Sequence, residues 1–247
     1  MIDILRSEWT KIRSVRSTMW TLAVTAGLML GIGTLIASAA RGSTEDAIPG
    51  AQTVMLSLTG IMFASLSIAT LGVLVISSEY RTGGIRTSLM AVPRRMSLLT
   101  GKIVVFTVTS LVVCTLASAA SLAVGVAITQ PPSLDMAEAV RAVVGCGLYL
   151  TACGLFGLAL GTLVRHTPGA IVSAIALMLV LPQIAGMLPG EVSRTVADHF
   201  TTNAGMQVAV PLVRNASRGP WSGFGVYLAW IAVTMIVGAV LLRRRDA

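Results

Sequence analysis

Between Ser77 and Lys102 a single carboxylate, Glu79, stands among five bases: Arg81, Arg86, Arg94, Arg95 and Lys102. One carboxylate among cations cannot run paired acid–base chemistry, and no nucleophile–base pair accompanies it. The chemistry available is charge-assisted docking. Ile85, Leu89 and Val92 repeat at helical spacing, and Pro93 stops that short helix. Gly83-Gly84 supplies a bend before it. A short helix projecting from a longer one is a lever on which a soluble partner can push. The plainer reading is an ordinary basic loop. A second set of polar groups, Ser57, Thr59, Ser65, Ser67 and Thr70, gives one apolar run a hydroxyl side. It could line a path, or the hydroxyls could bond their own helix.

The elements that must position these groups are apolar. The chain of 247 residues is 55 % hydrophobic, with mean hydropathy +0.84. Six runs, Met19–Ala40, Thr53–Ser77, Ile103–Ile128, Ala142–Val164, Pro168–Leu188 and Phe224–Leu242, contain none of its charges. Each has about the 20 residues that a helical span requires. The fold expected is an all-α polytopic membrane protein with six transmembrane helices, forming one transmembrane domain over residues 1–247. Ion-driven carriers usually bury ionisable groups at membrane depth, so energy is expected to arrive from outside the bilayer. The connections leave no room for a separate soluble domain of about 100 residues. No G-x-x-x-x-G-K-[ST] phosphate loop occurs either.

Residues 1–18 read as an interfacial amphipathic helix. Ile2, Leu5, Trp9 and Ile12 form its apolar stripe, with Asp3, Arg6, Glu8, Lys11 and Arg13 on the other faces. Thirteen of the 18 basic residues fall on one side if the amino terminus is cytoplasmic: Arg6, Lys11, Arg13, Arg16, Arg81, Arg86, Arg94, Arg95, Lys102, Arg165, Arg243, Arg244 and Arg245. Arg41, Arg141, Arg194, Arg214 and Arg218 fall on the other. That bias places both termini in the cytoplasm of a cell with a multi-pass plasma-membrane protein. It also argues against nucleic acid, since the bases are spread over every inner connection. Arginine outnumbers lysine sixteen to two, as in a GC-rich bacterial, actinobacterial genome.

Ser133 or Asp135 can cap the fourth span, Thr167 can cap the fifth with Pro168 in its first turn, and Pro182 should kink it. Residues 189–223 hold apolar pieces too short to cross, hence interfacial or re-entrant. Gly27/Gly31 and Gly157/Gly161 are G-x-x-x-G pairs, read as packing within one subunit. Cys114, Cys146 and Cys153 read as small reduced core residues, and no metal site is expected.

The 77–102 segment resembles the coupling region of permease subunits of type-2 ATP-binding-cassette exporters. Glu79, Gly83/Gly84, Arg86, Pro93-Arg94-Arg95 and Gly101-Lys102 follow that pattern in order. Glu8-Trp9-Thr10-Lys11 is similar to the family's interfacial connecting helix, and Leu163–Ile171 to its turn between the fourth and fifth spans. Thr202–Gln207 resembles its Ser-Asn-Ala-Gly-Gln element. The resemblance implies a dimer of permeases, homomeric or paired with a sister chain, docked on separate ATPase subunits that carry ATP and Mg. It also implies an outer gate at Asn203, Ala204, Gly205 and Gln207, and coupling through Glu79, Arg81, Gly83, Gly84, Arg86, Pro93, Arg94, Arg95 and Lys102. Glu79 is expected to bond Arg81 or a basic group of an adjoining helix. Gly83-Gly84 departs from the family's Gly-Thr turn.

Two other classes compete: a non-transporting membrane sensor or immunity subunit, and an intramembrane enzyme. His199-x-x-x-Asn203 is part of a protease-like motif, but no span holds the carboxylates such chemistry needs. The charge bias itself is open to test. An impermeant thiol reagent applied to intact cells should label Ser193→Cys and Ser217→Cys but not Ser88→Cys or Ser97→Cys. The reverse pattern would overturn the orientation.

Overall fold

The computed structural model describes residues 2–44, 46–82, 95–187, 205–206, 208–209 and 220–244. Among them every regular element is helical: α1 Ile2–Ser14, α2 Arg16–Ser43, α3 Gly50–Ser57, α4 Ile61–Thr82 and α5 Arg95–Thr129. α6 Met136–Val164 and α7 Thr167–Ile175 follow, then a π-helical turn Ala176–Val180, α8 Leu181–Gly186 and α9 Pro220–Arg244. Six helices are long and apolar enough to cross a membrane. Spans 1, 3, 4 and 6 are α2, α5, α6 and α9; span 2 is α3 with α4, and span 5 is α7 with α8. The protein is an all-α polytopic membrane protein.

Span 4 is the central helix. Its most apolar stretch is 83 % buried, against 28 % for spans 1, 5 and 6. Glycine makes this possible. A Cβ at Gly72 would fall on the Gly154 carbonyl oxygen, and one at Gly157 on that of Ala69. One at Gly161 would strike Ile76 2.5 Å away. Backbones of α4 and α6 therefore touch directly, the close approach that small residues permit where lipid offers no hydrophobic drive. The other glycine pair behaves differently. Gly27 and Gly31 have nothing within 4 Å of a built Cβ, so this pair lies open on span 1 and does not pack inside the subunit.

Span 2 is not continuous. Leu58-Thr59-Gly60 breaks it into α3 and α4. Gly60 lets the break press on span 1, where a Cβ would lie 2.6 Å from the Met29 carbonyl oxygen. The break frees backbone carbonyls, which low-dielectric surroundings penalise. Ser121 of α5 answers: its Oγ lies 2.7 Å from the Ser57 carbonyl oxygen and 3.1 Å from that of Met29. One hydroxyl thus joins spans 1, 2 and 3. At Pro182, where a kink is expected, the structure shows a π-helical turn just before the proline. Proline has no N–H to complete the α ladder, and Leu181 N–H reaches back to Ala176 O instead.

The helix starts differ in part from expectation. Asp135, not Ser133, caps α6, accepting from Ala137 N–H (2.9 Å) and Glu138 N–H (3.3 Å). α7 is capped by His166, whose Nδ1 accepts from Gly169 N–H at 3.3 Å. Thr167 is already helical, because His166 holds the extended backbone that a cap requires. Cys114, Cys146 and Cys153 are free and buried.

The glycine seam yields a discriminating test. Gly157→Leu should drive a side chain into the α4 backbone and cost about 1–3 kcal/mol or more, lowering the thermal midpoint in detergent. Gly27→Leu should leave the midpoint of the isolated subunit unchanged. Equal midpoints for Gly157→Leu and the wild type would refute direct backbone contact at this seam.

Candidate functional site

The site is built where α1, the end of α4 and the start of α5 converge, at the end of the bundle called here the base. On α1, Ile4, Glu8 and Lys11 share one face at spacings of four and three. That face turns toward α5, because Gly101 has no side chain to block it; a Cβ there would lie 2.6 Å from Ile4 Cγ2. The approach delivers Glu8 onto Lys102. Glu8 is therefore the most deeply buried described residue of α1, at 2 % exposure, and not a member of its polar face. The cause is specific pairing, which a hydrophobic-stripe argument leaves out. Trp9 stays half exposed on the outer side.

Four side chains close a ring of alternating charge. Lys102 Nζ donates to Glu8 Oε2 at 2.7 Å and to Glu79 Oε1 at 2.9 Å. Lys11 Nζ donates to Glu8 Oε1 at 2.6 Å and to Glu79 Oε1 at 3.0 Å. Each ammonium bridges both carboxylates, so the formal charges cancel locally. The Glu8 and Lys102 side chains are 3 % exposed, Glu79 14 % and Lys11 40 %. Burial alone would depress the Lys11 pKa, but Glu8 and Glu79 hold it above its ordinary value. The ammonium therefore stays charged through neutral pH. Such an arrangement does not catalyse. It fixes three chain segments relative to one another with directional bonds, and it flanks residues 83–94 on both sides.

Of the expected coupling residues, Glu79 and Lys102 are brought together here. Their partners are each other and α1, so the adjoining-helix alternative for Glu79 is the one seen. Gly83, Gly84, Arg86, Pro93 and Arg94 lie outside the described residues, as do the side chains of Arg81 and Arg95. Lys102 lies in the second turn of α5, one residue before the charge-free run Ile103–Ile128, and is buried there. Its two carboxylate partners make that position tolerable.

The hydroxyl side of span 2 is dispersed. Ser57, Thr59, Ser65 and Thr70 each donate to carbonyls of their own helical segment, at 2.6 to 3.1 Å. Ser67 pairs with Thr25 of span 1, oxygen to oxygen 2.8 Å. Ser57 and Ser65 are buried, while Thr59 is exposed. At the opposite half of the bundle, Gly205 is buried against two rings; a Cβ would lie 2.5 Å from Tyr227 and 3.0 Å from Tyr149. Gly145 meets the Val208 carbonyl. Tyr149 is 13 residues into α6, roughly 20 Å along its axis, so Gly205 sits well inside the bundle. Asn203, Ala204 and Gln207 lie outside the described residues. Among the described residues no group of three His, Cys, Asp or Glu could hold a metal.

Glu8 and Lys11 are the members of the ring that sequence reasoning left on the polar faces of α1. The available signal was a Glu-x-x-Lys turn in α1 together with the Gly-Lys dipeptide at the entry of span 3.

Fold and site define a multi-pass membrane protein whose amphipathic N-terminal helix is ion-paired to the base of its second and third spans. Residues 4–186 match the family described as ABC-2 family transporter protein, and the chain belongs to that family. It is accordingly a transmembrane ABC transporter subunit of a family generally partnered with an ATPase subunit. The match ends before residues 205–209 and span 6. No curated protein matches the chain.

Removing one member of the ring strands the others. Lys102→Met should cost about 3–5 kcal/mol, as loss of one partner of a buried pair does. Glu8→Leu combined with Lys102→Leu should recover most of that loss. Thermal unfolding in detergent reads both; strictly additive losses would show that the four groups are not coupled.

Proposed function

We propose that this chain is the membrane permease of an exporter driven by ATP hydrolysis on a separate subunit, which carries the ATP and Mg. The carrying observation is the buried four-charge ring. It ties the N-terminal helix to the end of α4 and the start of α5, which precede and follow residues 83–94 in the chain, so that force applied between them reaches spans 2 and 3 together. The sequence of that segment, with its Glu79–Lys102 pattern, supplies the docking chemistry for the ATPase. The basic excess on this side supports a cytoplasmic base and cytoplasmic termini. Trp9 with exposed Arg6 and Arg13 suits α1 to the headgroup layer of the cytoplasmic membrane.

Two copies, identical or sister chains, form the path. The open Gly27/Gly31 face of span 1 and the exposed Met55, Thr59, Met62 and Phe63 of span 2 favour a partner there. On this reading Thr59, Ser67 and Thr70 border the path, with Ser57 and Ser65 behind them. Asn203, Ala204, Gly205 and Gln207 form the outer gate.

Co-expression with the ATPase encoded beside this chain should yield a complex of two permeases and two ATPases, in which hydrolysis is stimulated by the permease. Glu79→Ala and Arg86→Ala should leave insertion intact, because acidic residues contribute little to topology and twelve inner bases remain after the Arg86 change. Stimulation and export should fall about five-fold or more, the lower range of measured site-to-site couplings. Wild-type rates in both variants would reduce the segment to an ordinary basic loop.

A further inference from the structure

Arg165 ends α6 with φ 59° and ψ 3°, in the left-handed region. Its N–H bonds Gly161 O at 3.1 Å, the backbone closure that glycine provides at many helix ends without steric penalty. An arginine in this position needs work for its side chain, and the structure shows that work. Nη2 donates to the Leu241 carbonyl oxygen at 3.2 Å. The guanidinium carbon lies 5.2 Å from the centre of the Tyr80 ring. Leu241 belongs to the last turn of α9, whose carbonyls lack partners within the helix and carry its negative dipole end. Tyr80 lies in the last turn of α4, next to Glu79. One side chain thus grips the base of spans 2, 4 and 6.

Span 6 is held again further up. Tyr227 is fully buried, its ring centre 6.2 Å from Tyr149 and 6.0 Å from Phe156, with Gly205 packed on it. Fourteen residues separate Tyr227 from Leu241, about 21 Å of helix at 1.5 Å per residue. From this geometry we infer that Arg165 is a positioning residue of the transport cycle. It locks the base of span 6 to the base of span 2, so that movement at the Glu79 joint is carried along span 6 to Gly205. The inference rests on the permease reading above for its role in transport, and on the contacts alone for the lock.

Arg165→Gly separates a lock from a helix cap. Glycine adopts this backbone freely, so a residue serving only as a cap would leave the thermal midpoint unchanged or raised, with function intact. The lock instead predicts a five-fold or greater loss of permease-stimulated ATP hydrolysis in the reconstituted complex. It also predicts a broadened distance distribution between spin labels on Ser78→Cys and Val240→Cys in the permease alone, with the three native cysteines replaced. Tyr80→Phe, which keeps the ring, should match the wild type. Tyr80→Leu should repeat the loss, and its combination with Arg165→Gly should be no worse than either. Should Arg165→Gly fail to accumulate, Tyr80→Leu leaves the cap untouched and carries the same comparison.

A wild-type distance distribution in Arg165→Gly or Tyr80→Leu overturns the lock. Wild-type stimulation despite a broadened distribution overturns its role in transport. Absence of permease-stimulated hydrolysis in the wild-type complex refutes the permease–ATPase reading instead, and the label distances still decide the lock.

Discussion

Four charges that cannot be left alone organise the base of this protein. Glu8 and Lys102 are almost fully buried, where an unpaired ion would cost several kcal/mol. Alternation around the ring lets each ammonium see two carboxylates and leaves no net local charge. Opposite charges in this geometry accept few displacements, because moving any one segment exposes an unpaired ion on another. The N-terminal helix is consequently part of the fold and not merely a float on the membrane surface. The end of α4 and the start of α5 are fixed by the same bonds, since Glu79 lies on one and Lys102 on the other.

Above the base the constraint changes from charge to space. Spans 2 and 4 meet backbone to backbone through Gly72, Gly154, Gly157 and Gly161, and dispersion between closely packed atoms replaces the hydrophobic drive that lipid removes. Most hydroxyls turn back to their own helices, which hides polarity without committing it to a partner. The exceptions mark irregular backbone or a junction between spans. Ser121 serves the break in span 2, and Thr25 meets Ser67 where spans 1 and 2 cross. Pro182 and the adjoining π turn place the irregularity of span 5 where the missing N–H requires it.

Much of this was legible beforehand. The six spans follow from uninterrupted apolar length, and the Pro182 irregularity from a missing donor. The segment read as a coupling region stands out in the sequence as the most charged connection. Its flanking residues Glu79 and Lys102 meet in three dimensions, while the residues between them lie outside the described structure. The break at Leu58-Thr59-Gly60 was not legible, because hydropathy is blind to a three-residue interruption inside an apolar run. Nor was the open face of Gly27/Gly31, since the same motif at Gly157/Gly161 is packed shut.

What the sequence by itself determined is the solvent of each segment. Transfer free energy depends on side-chain chemistry and run length, both of which are local, so span number and fold class needed no coordinates. The family, too, is carried by linear motifs and by the match over residues 4–186. What only the tertiary structure decided is partnership. Glu8 looked like a surface acid until Gly101 allowed α1 close enough to deliver it to Lys102. Arg165 looked like one more base in a turn until the ends of α4 and α9 arrived beside it. Coulomb and hydrogen-bond energies depend on distances between groups far apart in the chain, and those distances exist only once the helices have packed.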